Sequence, residues 1–474
     1  MTEIKATPKG WSKTNLGSIA TYINGRAFKP SEWEASGNPI IRIQNLNKSH
    51  APLNYTTGKF EDKYLVKSGD LLYAWSASLG VYIWNGGDAW LNQHIFKVLP
   101  KDGVEKKFLY YLLEKITSEL YAKAHGSGMV HVTKGVFEST VVYLPEPKLQ
   151  TKVVETLDEL FSNIDSGISN LINAREGLKL YKLALLNKAF NGGLTASWRE
   201  KNKDSLEKAD EIINRISIIK NKKIDALAKI EGVAELPKSW LYIKAGDICD
   251  FITKGTTPAK EDLYESDGEV PFIKVYNLTK NGALDFSIDP TFVKRSTHEN
   301  FLKRSKVFPG DVLMNIVGPP LGKVSIVPSL FPEWNINQAI AIFRTPHVRS
   351  DLLSMYLSYD RTINYMMGKA KATAGQFNLT LEICRDTPIP LFDSREQDLL
   401  ASIMNEKLSE IDAIENTIRD VLHFCTSLRK SILQQVFSGN LVQGDAINGA
   451  SDELFPEIKN ESSLKNQSKK QNAI

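Results

Sequence analysis

The chain has 474 residues and a formal net charge of +4, with 59 Lys and Arg residues against 55 Asp and Glu residues. A hydrophobic content of 42% and a charged content of 24% are those of folded globular proteins and exclude a chain that is disordered throughout. This length predicts two or more domains, and the mild positive charge permits a nucleic-acid partner without requiring one.

The sequence has no sign of export or of membrane insertion. No apolar run is long enough to cross a bilayer, and the N-terminal residues lack the apolar stretch of a signal peptide. Cys249, Cys384 and Cys425 lie far apart and form neither a disulfide framework nor a zinc pattern. These features predict a protein of the reducing cytoplasm with no membrane association.

A strand-rich domain is predicted at residues 1–147. Short apolar runs punctuated by Gly, Pro and Asn are typical of strands joined by turns. These runs are Pro39–Ile43, Asp70–Trp75, Val81–Trp84 and His94–Leu99. A helix is predicted to follow them at Val104–Ala124.

A long helix is predicted at 148–192, followed by a helical connector at 193–236. From Val153 onward, apolar or small residues recur at spacings that alternate between four and three, which is typical of a coiled-coil seam. The connector is highly charged and places Ile212, Ile216 and Ile219 on one predicted helix face. Such a face is expected to dock on a partner.

The same order of elements is predicted again, with a second strand-rich domain at 237–392 and a second long helix at 393–440. The predicted strands are Val270–Val275, Asp311–Val317, Lys323–Val327 and Ala339–Arg344, and a helix is predicted at Ser350–Met367. The last segment, 441–474, is polar and basic at its end, and is predicted to be a disordered tail.

The second half of the chain is a repeat of the first. Gly128–Leu194 aligns with Gly375–Leu441 without a gap, and upstream PKGW, PIIRIQNL and LNQHI align with PKSW, PFIKVYNL and INQAI. Two equal seams in one chain predict that the long helices pack against each other, the alternative being that each packs only on its own domain. The predicted seam residues are Leu157, Leu160, Ile164, Leu171, Leu178, Ile411, Ile414, Ile418 and Leu428.

No catalytic or cofactor motif is found in the sequence. The segment GPPLGKVS at 318–325 resembles a phosphate-binding loop, but its glycine spacing is too short and Val324 stands where Ser or Thr would bind magnesium. The seven histidines show no metal-ligand spacing, and no dinucleotide, adenosylmethionine or nucleophile-elbow fingerprint is present. The sequence therefore predicts no catalytic residue, no metal site and no cofactor bound by this chain.

Polar side chains at matched loop positions of the two copies predict contacts with DNA. Arg, Asn and Gln pair with base edges, whereas Lys and backbone amides hold phosphates. The candidates in the first copy are Arg26, Lys29, Arg42, Gln44, Asn47, Lys48, Ser76, Ser78, His94, His125, His131 and Lys134. Those in the second copy are Lys254, Thr256, Lys274, Tyr276, Asn277, Lys280, Asn315, Lys323, Gln338, Lys371, Gln376 and Asn378.

Residues that both copies share have an alternative interpretation, in which they support turns rather than read bases. This applies to the pairs Asn45/Asn277 and Asn92/Asn337. Positions that differ between the copies, such as Gln44 against Tyr276, are the better candidates for base selectivity. The same holds for His131 against Asn378.

The order of these motifs, occurring twice, resembles the specificity (S) subunit of type I restriction-modification enzymes. The resemblance is carried by LALLNKAFNGGLTASWREKN and SILQQVFSGNLV with the heptad helices before them, by the two PKGW/PKSW openings, by IRIQNL/IKVYNL, and by GDLLYAW/GDVLMNI. It covers residues 8–442. It implies an α+β fold in which two target recognition domains are each followed by a long helix, the helices pairing as an antiparallel coiled coil.

The resemblance also implies a function and a set of partners. Each recognition domain would read one half of a bipartite asymmetric target in double-stranded DNA, while the helices set the spacing. Two adenine-N6 methyltransferase subunits and two restriction subunits would assemble around the helices. Adenosylmethionine, ATP and Mg²⁺ would be bound by those subunits and not by this chain.

One departure from the family pattern and two competing functions stay open at this point. The second long helix lacks a segment like WREKN, which follows the first at 198–202, and this puts the partner contacts on that side in doubt. The competing functions are a coiled-coil scaffold or DNA-binding regulator without a restriction-modification role, and an enzyme with an unrecognised site.

Overall fold

A computed structural model of the chain describes residues 10–48, 50–123, 133–227, 230–265, 268–279, 282–318, 321–370, 372–373 and 376–439. The chain forms two compact units, unit 1 from residues 1–173 with 418–474 and unit 2 from residues 174–417. Both boundaries fall inside long helices, so each unit contains one strand-rich domain and half of each long helix. No helix in the described ranges is long and apolar enough to cross a membrane.

The N-terminal half of the chain alternates short strands with helices and ends in a helix of 44 residues. Its elements are β1 (Trp11–Asn15), α1 (Leu16–Ile19), β2 (Ala20–Asn24), β3 (Asn38–Ile41), α2 (Ile43–Asn47), β4 (Asn54–Thr56), β5 (Leu65–Val66), β6 (Leu71–Ala74), β7 (Gly80–Ile83), β8 (Ala89–Leu91), β9 (Ile95–Pro100), α3 (Lys106–Lys123), α4 (Lys134–Glu138), β10 (Val141–Pro145) and α5 (Pro147–Phe190). Single 3-10 turns lie at Pro30–Glu32 and Asp62–Tyr64.

The C-terminal half repeats this order after two connector helices and ends in a second helix of 44 residues. Its elements are α6 (Ala196–Asn202), α7 (Ala209–Ile219), β11 (Leu241–Lys244), α8 (Ala245–Ile248), β12 (Phe251–Lys254), β13 (Leu263–Tyr264), β14 (Val270–Ile273), β15 (Phe292–Val293), α9 (Arg295–Glu299), β16 (Lys306–Val307), β17 (Val312–Asn315), β18 (Val324–Ile326), β19 (Trp334–Ile336), β20 (Ile340–Arg344), α10 (Ser350–Ser358), α11 (Asp360–Lys369), β21 (Ala372–Thr373), β22 (Gln376–Phe377), α12 (Leu381–Asp386), β23 (Pro388–Leu391) and α13 (Ser394–Phe437). Its 3-10 turns are Lys260–Asp262, Val275–Asn277 and Lys303–Ser305.

The two units have the same sheet topology. In unit 1, β1 pairs with β10, an antiparallel sheet has the order β2-β9-β6-β7, and a mixed sheet has the order β4-β3-β8-β5. Unit 2 has the matching pair β11-β23, the sheet β12-β20-β17-β18, and the sheet β15-β14-β19-β16, which β13 extends at one edge. A parallel strand pairing also recurs, as β3 with β8 and as β14 with β19.

In each unit, one large hydrophobic cluster joins the domain to both long helices. In unit 1, Phe108 and Phe137 of the domain share a buried cluster with Val153 near the start of α5 and Val436 near the end of α13. In unit 2, the cluster contains Ala189 near the end of α5 and Met404 near the start of α13, among many residues of the domain. The start of each helix thus packs in the same unit as the end of the other, and the predicted antiparallel arrangement is confirmed.

The predicted seam residues differ in burial. Leu157 and Leu428 are buried in the cluster of unit 1, with Leu160 and Ile164 packed against it, and Ile411 is buried in the cluster of unit 2. Ile418 is also buried, and Leu171 and Leu178 are half-buried. Ile414 keeps 47% of its surface exposed, so its predicted place in the seam is peripheral.

An arginine on a helical segment contacts an aromatic ring and a carboxylate in each unit. In unit 2, Arg199 of α6 donates to the buried carboxylate of Glu396 at 2.6 Å and lies 5.2 Å from the Trp240 ring. In unit 1, Arg429 of α13 donates to Glu114 at 3.0 Å and lies 4.0 Å from the Phe161 ring. We call these two contacts the arginine anchors.

Two local expectations from the sequence are wrong. The helix predicted at Ser350–Met367 is broken at Tyr359, which has an extended backbone and separates α10 from α11. The Tyr359 hydroxyl donates to Asn187, and its ring packs on Phe190, so contacts with α5 fix the break. On α7, Ile213 is buried instead of Ile219, because the helix ends there and leaves Ile219 66% exposed.

Candidate DNA interface

The loops that carry the candidate residues converge at one edge of each domain. In unit 1, the register Asn24↔Phe96 brings the end of β2 to the start of β9, and Ala74↔Ile95 does the same for the end of β6. The parallel register Ile41↔Leu91 places the ends of β3 and β8 side by side. Loops 25–29, 42–48, 75–79 and 92–94 therefore lie together, and we call them loop cluster 1.

Unit 2 builds the same edge from the equivalent strands. Lys254↔Ala341 and Asn315↔Ile340 bring the ends of β12 and β17 to the start of β20, and Ile273↔Ile336 aligns the ends of β14 and β19. Loops 255–260, 274–279, 316–318 with 321–323, and 337–339 form loop cluster 2. The chain thus presents two loop clusters of one design.

A glycine holds each cluster together by close backbone packing. A methyl group added at Gly25 would lie 2.1 Å from the carbonyl oxygen of Asn92, and one added at Gly255 would lie 2.1 Å from that of Ile336. No other side chain fits without moving the facing strand end. These glycines were not among the predicted site residues, although NGR and KGT after a strand are a recognisable signal.

The shared asparagines build the loops. Asn45 accepts from the backbone amide of Arg42 at 3.0 Å and donates to the carbonyl of Pro52 at 3.0 Å. Asn277 accepts from the amide of Lys274 at 2.8 Å and donates to the carbonyl of Ile288 at 2.7 Å. These bonds favour the alternative interpretation for this pair, in which shared residues support turns.

The cations of loop cluster 1 differ in how strongly they are held. Arg26 donates to Glu32 at 2.5 Å and lies 4.2 Å from the Phe60 ring, so its guanidinium is fixed inside the domain. That hydrogen bond holds the pKa of the Glu32 carboxyl below its ordinary value. Lys29 is exposed beside this pair, and the guanidinium of Arg42 lies 5.4 Å from the exposed ring of Trp33.

The helix α2 presents polar side chains at the surface of loop cluster 1. Gln44, Asn47 and Lys48 are all exposed, and Asn47 accepts a hydrogen bond from the hydroxyl of Tyr82. A Gln side chain at this position offers both a donor and an acceptor, as a bidentate contact with adenine requires. Base reading by Gln44 stays a prediction with suitable geometry.

The other described candidates of unit 1 range from buried to exposed. Ser76 is buried and Ser78 half-buried in the turn after β6. His94 is half-buried beside Trp75, with ring centroids 5.5 Å apart. The Lys134 ammonium donates to the carbonyl of Tyr22 at 2.7 Å, which ties α4 to β2. This internal bond competes with the predicted phosphate contact of Lys134.

Loop cluster 2 differs from loop cluster 1 at the position of Gln44, where an aromatic residue contacts a carboxylate. Tyr276 stands at the position of Gln44, and its hydroxyl donates to the carboxylate of Asp289. The hydrogen bond and the nearby Lys274 ammonium, 3.6 Å away, hold the pKa of the Asp289 carboxyl below its ordinary value. The two clusters therefore present different donors and acceptors from one backbone design.

Other candidates of unit 2 divide between structural and exposed positions. Asn315 is buried, and its side chain accepts from the backbone amide of Lys323 at 2.8 Å, which ties the end of β17 to the residue before β18. The side chains of Lys254, Gln338 and Asn378 are exposed, and those of Thr256 and Lys323 are half-buried. Asn378 pairs with Val317, which joins its segment to loop cluster 2.

Five predicted contacts cannot be placed. His125, His131, Lys280 and Lys371 lie outside the described residues, as does the side chain of Gln376, whose backbone belongs to β22. Trp33, which lies beside loop cluster 1, was missed by the sequence reasoning. Trp33 is 39% exposed beside Arg42, and a flat exposed ring beside a cation is suited to pack on a sugar or base.

Comparisons with known proteins agree with this architecture. The family model described as the type I restriction modification DNA specificity domain matches residues 8–174 and again residues 237–423. The two matches span both strand-rich domains and most of both long helices. This chain belongs to that family.

Relatives and a solved structure extend the family match over nearly the whole chain. The specificity subunit of the type I restriction enzyme EcoBI from Escherichia coli is 25% identical over 448 residues, covering 91% of this chain and 86% of the relative. The MjaIX specificity subunit of Methanocaldococcus jannaschii is 23% identical over 350 residues, covering 70% of this chain and 73% of the relative. A chain from a structural study of complex assembly in the type I R-M system matches with a TM-score of 0.66 at 16% identity, over 92% of this chain and 100% of that one.

Proposed function

We propose that this chain is the DNA-recognition subunit of a type I restriction-modification complex. Loop cluster 1 reads one half of a bipartite, asymmetric target in double-stranded DNA, and loop cluster 2 reads the other half. The subunit works in the cytoplasm, where its DNA target lies. The observation that carries this proposal is the repetition of one loop cluster, on one topology, with different exposed side chains in the two copies.

The physical argument rests on what is shared and what differs. Cap asparagines and packing glycines are common to both clusters, so the backbone of the edge is the same. Gln44 and Tyr276 occupy equivalent positions and offer different hydrogen-bonding groups. Because base discrimination depends on such groups, two copies of one design are suited to read two different half-targets.

The chain is proposed to recognise DNA without catalysing its modification. Its relatives are specificity subunits, and its sequence lacks the motifs for adenosylmethionine and for ATP. Two methyltransferase subunits and two restriction subunits are the proposed partners. They would supply the binding sites for adenosylmethionine, ATP and Mg²⁺.

The long helices are proposed to dock the methyltransferase subunits and to set the spacing between half-targets. Both units expose apolar side chains on these helices, including Leu180 and Tyr181 in unit 2 and Val421 and Phe424 in unit 1. Phe424 is 55% exposed and Leu180 is 68% exposed. Grouped apolar side chains on a surface are typical of protein–protein contacts.

Exchange of one recognition domain tests the central proposal. Because β11 pairs with β23 through Leu241↔Leu391, the exchanged segment should run from 237 to 392 and keep that pair within one parent. Genome-wide methylation mapping of the chimera with its methyltransferase should show one half of the target changed and the other retained. If both halves changed together, recognition would belong to the assembled complex and not to separate units.

A change in helix length tests the spacer role. Insertion of one heptad into each long helix, near Leu171 and near Ile418, lengthens each by about 10 Å, which corresponds to about three base pairs of DNA. The mapped half-targets should keep their bases and move apart. Retention of the original spacing in a methylating complex would contradict the spacer role.

A further inference from the structure

A buried histidine lies between two carboxylates in unit 2, away from loop cluster 2. His298 belongs to the short helix α9 and has no exposed surface. Its Nε2 atom is buried and has no hydrogen-bond partner. A buried imidazole nitrogen without a partner normally costs stability, and a ligand bound to it would offset that cost.

The unpartnered nitrogen faces both carboxylates. Nε2 lies 3.4 Å from Oε2 of Glu333, which precedes β19, and 3.7 Å from Oε1 of Glu299. One ligand atom from each of the three residues lies within 4.8 Å of the others. Two ligands of a tetrahedral zinc ion are roughly 3.3–3.6 Å apart, given bond lengths of about 2.0–2.2 Å.

The other imidazole nitrogen contacts a side chain of the kind that orients a metal-binding histidine. Nδ1 of His298 contacts the side-chain amide of Asn335 on β19. Asn335 is buried and also contacts the Ser305 hydroxyl at 3.2 Å. A histidine that binds a metal usually donates its second ring N–H to such a group, and the amide oxygen of Asn335 can accept it after a flip of the amide.

Unit 1 fills the equivalent corner with apolar rings. Trp90 of β8 occupies the sheet position in unit 1 that Asn335 of β19 occupies in unit 2. Ile40 and Leu65 are the strand partners of Trp90, and Phe272 and Lys306 are the equivalent partners of Asn335. Trp90 packs against Phe60 with ring centroids 5.1 Å apart. The same sheet position therefore holds an aromatic ring in unit 1 and a polar amide in unit 2.

We propose that His298, Glu299 and Glu333 bind a divalent transition-metal ion such as Zn²⁺, which staples α9 to the start of β19. Imidazole nitrogen and carboxylate oxygen are both zinc ligands, and three protein ligands leave a fourth position for water. Two carboxylates balance the charge of the ion. The site lies outside the proposed DNA interface and does not depend on the proposed function.

Two cations now neutralise the carboxylates and would compete with the metal ion. Arg295 donates to Glu333 and lies 3.9 Å from Oε1 of Glu299, so its guanidinium stands close to where the ion would bind. Lys306 pairs with the other oxygen of Glu299 at 2.5 Å. The Arg295 side chain is 45% exposed, and a long exposed side chain can swing into solvent when the ion enters.

Metal titration of the full-length chain tests the site. After dialysis against EDTA and then metal-free buffer, Co²⁺ should give the visible absorption of a tetrahedral site at one ion per chain, and Zn²⁺ should displace it. Glu333→Gln should weaken Zn²⁺ binding by more than about tenfold, the scale on which even outer partners of metal ligands matter. Asp88→Asn, at the corresponding position of unit 1, should leave binding unchanged.

Two further variants separate a metal site from a permanent ion-pair network. Arg295→Ala removes the competing cation and should tighten Zn²⁺ binding several-fold. If the Arg295 guanidinium is instead the permanent partner of the two carboxylates, the variant should be less stable than the wild type and should bind no metal. His298→Ala should abolish tetrahedral Co²⁺ absorption, and circular dichroism should confirm that the chain is folded. No stoichiometric binding by the wild type and by Arg295→Ala would overturn the proposal.

Discussion

The two arginine anchors show how one repeated architecture is secured in different ways. In unit 2, the Glu396 carboxylate is 1% exposed and accepts from Thr195, Arg199 and Trp240. In unit 1, the partly exposed Arg429 divides its donors between Glu114 and Asp165. The first anchor is a buried hydrogen-bonded network, and the second is a partly exposed ion pair.

The difference explains the departure of the second repeat from the first. Arg199 belongs to the WREKN segment, which follows the first long helix and is missing after the second. Its partner Glu396 aligns with Leu149 in the first repeat, so the carboxylate is missing where the arginine is missing. The next residue keeps its role, since Gln150 and Gln397 are both buried and each donates to two backbone carbonyls.

The loop clusters differ from the anchors, because their backbone is the same in both units and only their exposed side chains differ. Glycine packing and asparagine caps match in detail, while exposed positions differ. Structural parts of a recognition domain are therefore repeated, and side chains that would face DNA are free to vary. Four sets of substitutions test the comparisons of the anchors and of the loop clusters, beginning with the loop backbone.

Substitution of a packing glycine should have the largest effect on target selectivity, because it displaces a whole loop cluster. Gly255→Ala places a methyl group 2.1 Å from the Ile336 carbonyl, and overpacking of this kind costs about 1–3 kcal/mol locally. Methylation mapping should show loss of selectivity for one half-target only. Gly25→Ala should affect only the other half.

Glycines with open surroundings provide the controls for this pair. A methyl group at Gly87 in unit 1 or at Gly368 in unit 2 would meet no atom within 4 Å. Both variants should keep the full target. Loss of both half-targets in Gly255→Ala alone would show that the clusters are not independent.

The arginine anchors should differ in their contribution to stability. Breaking the buried pair with Glu396→Gln should destabilise unit 2 by about 3 kcal/mol, because Arg199 keeps its charge without a counterion. Arg429→Gln should cost less, about 1 kcal/mol, since the Asp165 side chain is 61% exposed and that of Glu114 is 24% exposed. Hydrogen exchange should report the first change at β11 and the second at α3, and equal costs would contradict the comparison.

A single exposed side chain should affect one position of one half-target. Gln44→Ala should relax base preference at one or two base pairs, with a loss of about 1–3 kcal/mol in discrimination. The measurement is methylation efficiency on a library randomised over that half. Asn45→Ala is the structural counterpart, and it should lower methylation of all sequences because it removes the cap of α2.

Two lysines of unit 1 should give the smallest effects and differ in salt dependence. Lys48 is exposed, and Lys48→Ala should weaken binding to all sequences alike and lower the salt slope by about one ion. Lys134 donates to the Tyr22 carbonyl, so Lys134→Ala should cost about 1 kcal/mol of stability. A lower salt slope for Lys134→Ala would restore its predicted phosphate contact.

The sequence by itself determined the repeat, the fold class and the long helices, because these depend on local pattern. The heptad spacing from Val153 predicts α5, and the gapless alignment of Gly128–Leu194 with Gly375–Leu441 predicts α13 as its copy. Most predicted strands lie within two residues of those observed, as for Asp70–Trp75 and β6. The exclusion of known cofactor motifs also needed only the sequence.

Tertiary structure decided which polar side chains are available and which are used inside the molecule. From the sequence, Arg26 and Gln44 are equal candidates for a DNA contact. In the structure, Arg26 is held by Glu32 and Phe60, whereas Gln44 is exposed. His298 and Glu333 are far apart in sequence and meet only because β16 and β19 pair beside α9. Such contacts depend on strand register and on long-range packing, which a local pattern of residues does not specify.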